Sequence, residues 1–232
     1  MKYIYSILIS LFLLGCSTND IDYTLARMAG NKPAGFFALD SVEEVNKWSF
    51  ETNDYKALPP NTYKKDWELM SPWNGAYIYG GISFGIENTD VNEKGLLVGY
   101  GINMNSSIDK YGDRAKAVDT KDYNYISDLK NTYTNKKMAK MYYEVHGKEN
   151  YPCIVTETGF SDRGVKTKSY GCYKFNKEKT KAKKVGITFI YTKSQKLPQA
   201  YQNLAKEYTY EDLLKRGQRV LDSLYIKDGW EE

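Results

Sequence analysis

Apolar positions change period along this chain, and each change predicts an element. Residues 3 to 14 are apolar except for Ser6 and Ser10. Val42, Val45 and Trp48 then recur at helical spacing behind Ser41 and Glu44, a capping-box pair, and predict a short first helix. Pro59, Pro60 and Pro72 make residues 58 to 74 an irregular connection. Residues 76 to 87 and 96 to 104 are rich in Tyr, Ile, Phe and Val and flank the turn-like stretch 88 to 95, so they predict a hairpin. Gly80, Gly81, Gly85, Gly99 and Gly101 fall inside these strands, where glycine marks a bulge or the close approach of another backbone. Residues 120 to 135, with Tyr123, Ile126, Leu129 and Tyr133, suit either a helix or an ordered polar loop.

Four strand-like segments follow, at 138 to 146, 151 to 158, 165 to 175 and 184 to 192. The last alternates cleanly, with Val185, Ile187, Phe189 and Tyr191 on one side. Leu197, Tyr201, Leu204 and Tyr208 make one helical stripe. Leu214, Val220, Leu221 and Leu224 make a second, introduced by Thr209 and Asp212 and containing Gly217, which would let the helix approach a sheet closely. Asp228-Gly229 ends the domain. The order predicts an α+β fold: a mainly antiparallel sheet, built from a hairpin and a four-stranded meander, with helices packed on it and a C-terminal helix.

Beyond Cys16, the only cysteines are Cys153 and Cys172. If residues 151 to 158 and 165 to 175 pair antiparallel around Asp162-Arg163, opposed residues have numbers that sum to 325 and the two cysteines face each other. The same register sets Glu157 against Lys168, Val155 against Tyr170, Thr156 against Ser169 and Thr158 against Thr167, all favourable cross-strand types. A structural disulfide is the expected state in an oxidising compartment. The rival is a redox or metal pair, for which the chain offers neither Cys-x-x-Cys nor more than one histidine.

Lys2, the apolar run to Leu14 and the sequence Leu13-Leu14-Gly15-Cys16 together resemble a bacterial lipoprotein signal. As a helix the run would measure about 18 Å, short of the roughly 30 Å of a hydrocarbon core. The resemblance implies cleavage after Gly15 and a diacylglycerol thioether and acylated amine on Cys16. Residues 1–15 are then the signal peptide, 16–38 a lipidated tether and 39–232 one domain. The alternatives for Cys16 are an ordinary cysteine of a signal cut elsewhere or a short anchor helix. Ser17 after the cysteine resembles outer-membrane sorting, so a periplasm-facing lipoprotein of the outer membrane is expected.

Charged residues make up 27% of the chain and hydrophobic ones 41%, in line with a folded globular protein. Without Lys2 there are 32 basic and 29 acidic residues, but the basic ones cluster. Between Ser161 and Lys184 there are nine, including Arg163, Lys166, Lys168 and Lys174, against Asp162 and Glu178. That hairpin is either a solvated edge guarding against aggregation or a contact for an acidic protein, an anionic lipid or a polyanion. Nucleic acid is not an expected partner outside the cytoplasm.

Catalytic constellations are absent from the sequence. No set of Cys, His and carboxylate residues has zinc spacing, so neither a metal nor another cofactor is expected. His146 could serve Ser161 or Ser169, yet there is no Gly-x-Ser-x-Gly elbow, and its position before Gly147-Lys148 reads as an exposed turn. Glu43 and Glu44 suit a helix N-terminus better than glycoside chemistry. Neither Rossmann nor Walker glycine spacing occurs. The 20 tyrosines beyond residue 15 could line a binding face, or simply reflect strand preference.

The meander followed by a helix with the ending Leu221-Asp222-Ser223-Leu224 is similar to the PsbP-like family, which includes the DcrB-type periplasmic lipoproteins. The likeness spans residues 138 to 226 and implies a fold and a non-catalytic role, with no site residues. The expectation is a lipid-anchored, non-enzymatic envelope protein that binds a protein partner. The alternative is an immunity lipoprotein that neutralises a toxin delivered to the periplasm.

Overall fold

Long-range strand pairing organises this protein. The computed structural model describes residues 42–47, 49–64, 77–78, 81–87, 98–132, 138–161, 164–193 and 202–230. A short helix α1 (Val42–Lys47) leads into strands β1 (Phe50–Glu51), β2 (Tyr55–Ala57), β3 (Tyr77–Ile78), β4 (Gly81–Glu87) and β5 (Val98–Lys110). Helices α2 (Asp113–Thr120) and α3 (Tyr123–Thr132) follow. Then come β6 (Met138–His146), β7 (Tyr151–Thr158), β8 (Val165–Phe175) and β9 (Lys181–Lys193), and last α4 (Gln202–Glu207), α5 (Tyr210–Ser223) and β10 (Tyr225–Ile226). The fold is α+β. One sheet has seven strands in the order β3-β4-β5-β9-β8-β7-β6, and a smaller one has the order β1-β2-β10. Every pairing in both is antiparallel.

The expected hairpin is β4 with β5, and the expected meander is β6 to β9. β5 runs past residue 104 to Lys110 because β9 pairs with it along its whole length, from Val98↔Lys193 to Lys110↔Lys181. Among the described residues the ladder of the glycine-rich hairpin is unbroken from Ile82↔Met104 to Glu87↔Gly99, with Gly85 opposite Gly101. A shift of register occurs instead in β6, between Met138 and Lys140. Of the two readings of residues 120 to 135, the helix is the one observed, as α3. The preceding α2 is an addition to the sequence reading.

Residues opposed across a ladder share a face. One such row, Met104, Ile187, Tyr170, Val155 and Tyr142, crosses five strands. α5 covers this face, burying Leu213, Val220 and Leu221 together with the sheet's Ile102, Val185, Ile187 and Phe189. The close approach is made at Gly217, where a Cβ would lie 2.6 Å from Phe189 Cζ. Thr209 caps the helix, its hydroxyl accepting from the Asp212 amide at 3.1 Å. The buried stripe is Leu213, Arg216, Gly217, Val220 and Leu221, so Leu214, expected to be on it, is only half-buried. Arg216 and Gly217 hide this stripe from a count of apolar residues alone.

On the opposite face α2 and α3 contribute Ala115, Val118 and Ile126 to a cluster with Met141, Ile154, Tyr173 and Ala182. The small sheet is tied to the large one by ions. The Lys183 ammonium, fully buried on β9, lies 3.0 Å from Asp54 Oδ1, while the Ser106 hydroxyl donates to Asp54 Oδ2 at 2.6 Å. Contacts continue past Asp228-Gly229, where Lys181 Nζ donates to the Trp230 carbonyl at 2.8 Å.

Candidate functional site

The expected register is observed: Cys153 faces Cys172, Val155 faces Tyr170, Thr156 faces Ser169 and Glu157 faces Lys168. Cys153 and Cys172 form a disulfide with 4.0 Å between their Cα atoms. Thr158 and Thr167 meet through their hydroxyls at 3.0 Å. The Ser161 carbonyl accepts from Gly164 at 2.9 Å, closing the turn. Cys16 and Arg163 lie outside the described residues.

Strand alternation sorts the lysines of the basic segment that lie on β8 and β9. Lys166, Lys168 and Lys174 share the α5 face with Lys183, whereas Lys184 lies on the other. Each of the three candidate lysines is engaged internally. Lys166 Nζ sits 3.8 Å above the Tyr210 ring, a cation–π contact. Lys174 Nζ is 3.0 Å from Glu149 Oε2 and 2.8 Å from Asp228 Oδ1, and donates to the Ile226 carbonyl at 3.1 Å.

Lys168 is the centre of a half-buried cluster. Its ammonium lies 3.3 Å from Glu157 Oε1, which also accepts from the Tyr142 hydroxyl at 2.8 Å. Burial opposes its charge, but hydrogen bonding to Tyr142 and Tyr170 outweighs that and raises its pKa. Burial would also raise the Glu157 carboxyl, yet hydrogen bonds from Tyr142 and Lys168 hold it below its ordinary value. Burial pushes the Tyr170 and Tyr210 phenols up to about 12. These groups therefore keep fixed protonation states at neutral pH: ammonium, carboxylate and phenol. That suits a structural network better than proton transfer, which needs a pKa near the working pH.

His146 is not the exposed turn residue expected. Its side chain is 13% exposed, its Nε2 is 2.7 Å from Glu144 Oε2, and its ring meets Tyr170 edge-on at 5.1 Å. The pairing of β6 with β7 extends to His146↔Tyr151 and places the ring on the sheet. Among the described residues, eight of the tyrosines that could have formed an outer face are core: Tyr55, Tyr100, Tyr151, Tyr170, Tyr173, Tyr191, Tyr208 and Tyr210 are buried. Among the described residues, no three His, Cys, Asp or Glu side chains converge as a metal site would require.

Open basic chemistry lies elsewhere. A shallow cleft of about 550 Å³ is lined by Leu58 and Asn61, by Lys148 of the β6–β7 turn, and by Lys215, Gln218, Arg219, Asp222 and Ser223 of α5. The α5 residues stand three and four apart, on the face opposite the buried stripe. That spacing was available in the sequence. Lys148, 67 residues before Lys215, was not placed beside it by any local pattern.

The chain matches no family model and no curated protein. Among solved structures, it is similar to a crystal structure from Bacteroides thetaiotaomicron VPI-5482 at 1.50 Å resolution, with a TM-score of 0.33 and 15% identity, covering 76% of this chain and 46% of that one. The chain thus spans less than half the length of that protein, and so weak a likeness says nothing of fold or function.

Proposed function

We propose that this chain is a lipid-anchored, periplasm-facing envelope protein whose folded domain binds another envelope component without catalysing a reaction. The observation that carries the reading is the run that ends in Leu13-Leu14-Gly15-Cys16, with Lys2 before it and Ser17 after it. Acyl chains contribute about 0.8 kcal/mol per buried methylene, and two or more chains anchor stably where one does not. A modified Cys16 would thus hold the domain at a membrane leaflet, with Ser17 favouring the outer membrane.

In-cell crosslinking of the tagged full-length protein, followed by affinity capture and mass spectrometry, tests the binding role. A stoichiometric membrane-assembly or wall-associated protein is the expected result. A secreted toxin in that place would identify the immunity role instead. A reproducible hydrolase activity, lost on changing one polar side chain, would overturn the non-catalytic reading.

A further inference from the structure

We propose that the cleft beside α5 binds an oxyanion, a phosphate or a carboxylate, carried by a ligand of about monosaccharide size. Such a ligand gives the binding role proposed above its chemistry, and the assignment rests on that reading. The cleft's volume falls in the range of small-molecule sites, about 300 to 1,000 Å³, and its walls are fixed by hydrogen bonds. The Ser223 hydroxyl accepts from the Leu58 amide at 2.7 Å. Arg219 donates through Nη1 to Asn46 Oδ1 at 3.1 Å and through Nη2 to the Asn46 carbonyl at 2.6 Å. Asn46 in turn holds Thr62, donating to its carbonyl at 2.9 Å and accepting from its amide at 3.3 Å.

Several buried or half-buried cations of the fold are matched by carboxylates: Lys168 has Glu157, Lys174 has Glu149 and Asp228, Lys183 has Asp54, and Arg216 has Asp212 at 2.6 Å. Among the described residues Lys166, set over the Tyr210 ring, is not, and neither are the basic side chains of the cleft. Arg219 is bound to the neutral oxygens of Asn46, which orient the guanidinium and leave its charge uncompensated. Lys148 and Lys215 have no carboxylate within 4.0 Å among the described residues. The cleft's own carboxylate, Asp222, accepts instead from Gln218 Nε2 at 2.7 Å.

Lys148 is held at the rim by its backbone. Its amide donates to the Leu224 carbonyl at 2.9 Å, and Gly147 before it has φ +81°, with space for a Cβ closed off 2.7 Å from that same oxygen. A guanidinium with spare donors and two ammonium groups, set against the single carboxylate of Asp222, leave the cleft net positive, which is the chemistry that recognises an oxyanion. Lys148 and Lys215 approach it as point charges, while the planar Arg219 sets its orientation.

Isothermal titration of the full-length chain in a neutral detergent, with glucose 1-phosphate, glucuronate and glucose as probes, tests the site. The expected result is saturable binding of at least one of the two anions and none of glucose at the same concentration. Affinity should fall at least tenfold in K148A/K215A, and severalfold as salt rises from low to high concentration. Both lysines are exposed, so that variant should keep the wild-type melting temperature, while K130A/K206A, two exposed lysines elsewhere, should keep the wild-type affinity. No saturable binding of either anion, or equal affinity in K148A/K215A, would overturn the proposal. Absence of lipid from Cys16 would leave the titration unchanged, so failure of the anchor and failure of the site are read separately.

Discussion

Gly217 decides how near α5 can come to the sheet. A Cβ there would stand 2.6 Å from Phe189 Cζ and 2.9 Å from Cε1 of the same ring, itself fully buried. Gly217→Ala should therefore destabilise the protein by about 1 to 3 kcal/mol through overpacking, although alanine is the better helix former. Urea denaturation measures it, and unchanged or raised stability would contradict the seating of the helix on Phe189. Asp54 is the other single residue on which much rests. Burial acts to raise its pKa, but hydrogen bonding from Ser106 and the charge of Lys183 hold it below its ordinary 3.8. A carboxyl lowered on folding contributes stability that is complete above the unfolded pKa and lost as pH falls through the folded one. Asp54→Asn should cost about 3 to 5 kcal/mol near neutrality, because the Lys183 ammonium is left buried and uncompensated. It should also flatten the acid limb of stability against pH. Denaturation midpoints from pH 7 to pH 2.5 decide this, and parallel limbs in the two proteins would contradict it. Gly217 was legible in the sequence as a point of close approach. Lys183 and Arg216 were not, because a basic residue in a strand or helix reads as solvated until its partners are known.

Among the elements, the β7–β8 hairpin was readable to the residue. A period of two about Asp162-Arg163 gives a register that sets Thr156 against Ser169 and Glu157 against Lys168, and the cysteines face each other as it requires. Their disulfide closes a loop with a sequence separation of 19, for which the chain-entropy model gives about 3 kcal/mol. The variant C153A/C172A should lose about that much, seen as a lower denaturation midpoint. Wild-type protein unfolded without reductant should show no free thiol from this pair, and thiols at both positions would contradict the bond. The sheet β1-β2-β10 was not readable. Its strands have two or three residues, below the length at which alternation carries a signal, and β10 pairs with β2 across most of the chain. The full length of β5 escaped notice for a related reason, as its last six residues owe their extended form to β9. The cleft shares this limit. Its α5 side is written in the helical spacing of Lys215, Arg219 and Asp222, and its Lys148 side depends on a tertiary contact at Leu224.

For the whole molecule, the placement of charge matters more than the total. The nine basic residues between Ser161 and Lys184 suggested one positive face. Of those on β8 and β9, Lys166, Lys168, Lys174, Lys181 and Lys183 lie on the α5 face and Lys184 on the other, and Lys174, Lys179 and Lys183 neutralise carboxylates brought from distant segments. What remains open is the cleft on the far side of α5 and the anchor proposed at Cys16. Metabolic labelling with palmitate followed by membrane fractionation, in wild type and Cys16→Ala, tests the proposed lipid anchor most directly. A lipidated Cys16 predicts a labelled wild-type protein in the membrane fraction and an unlabelled variant released to the soluble periplasmic fraction. Label that persists in the variant, or a wild-type protein that carries none, would contradict it.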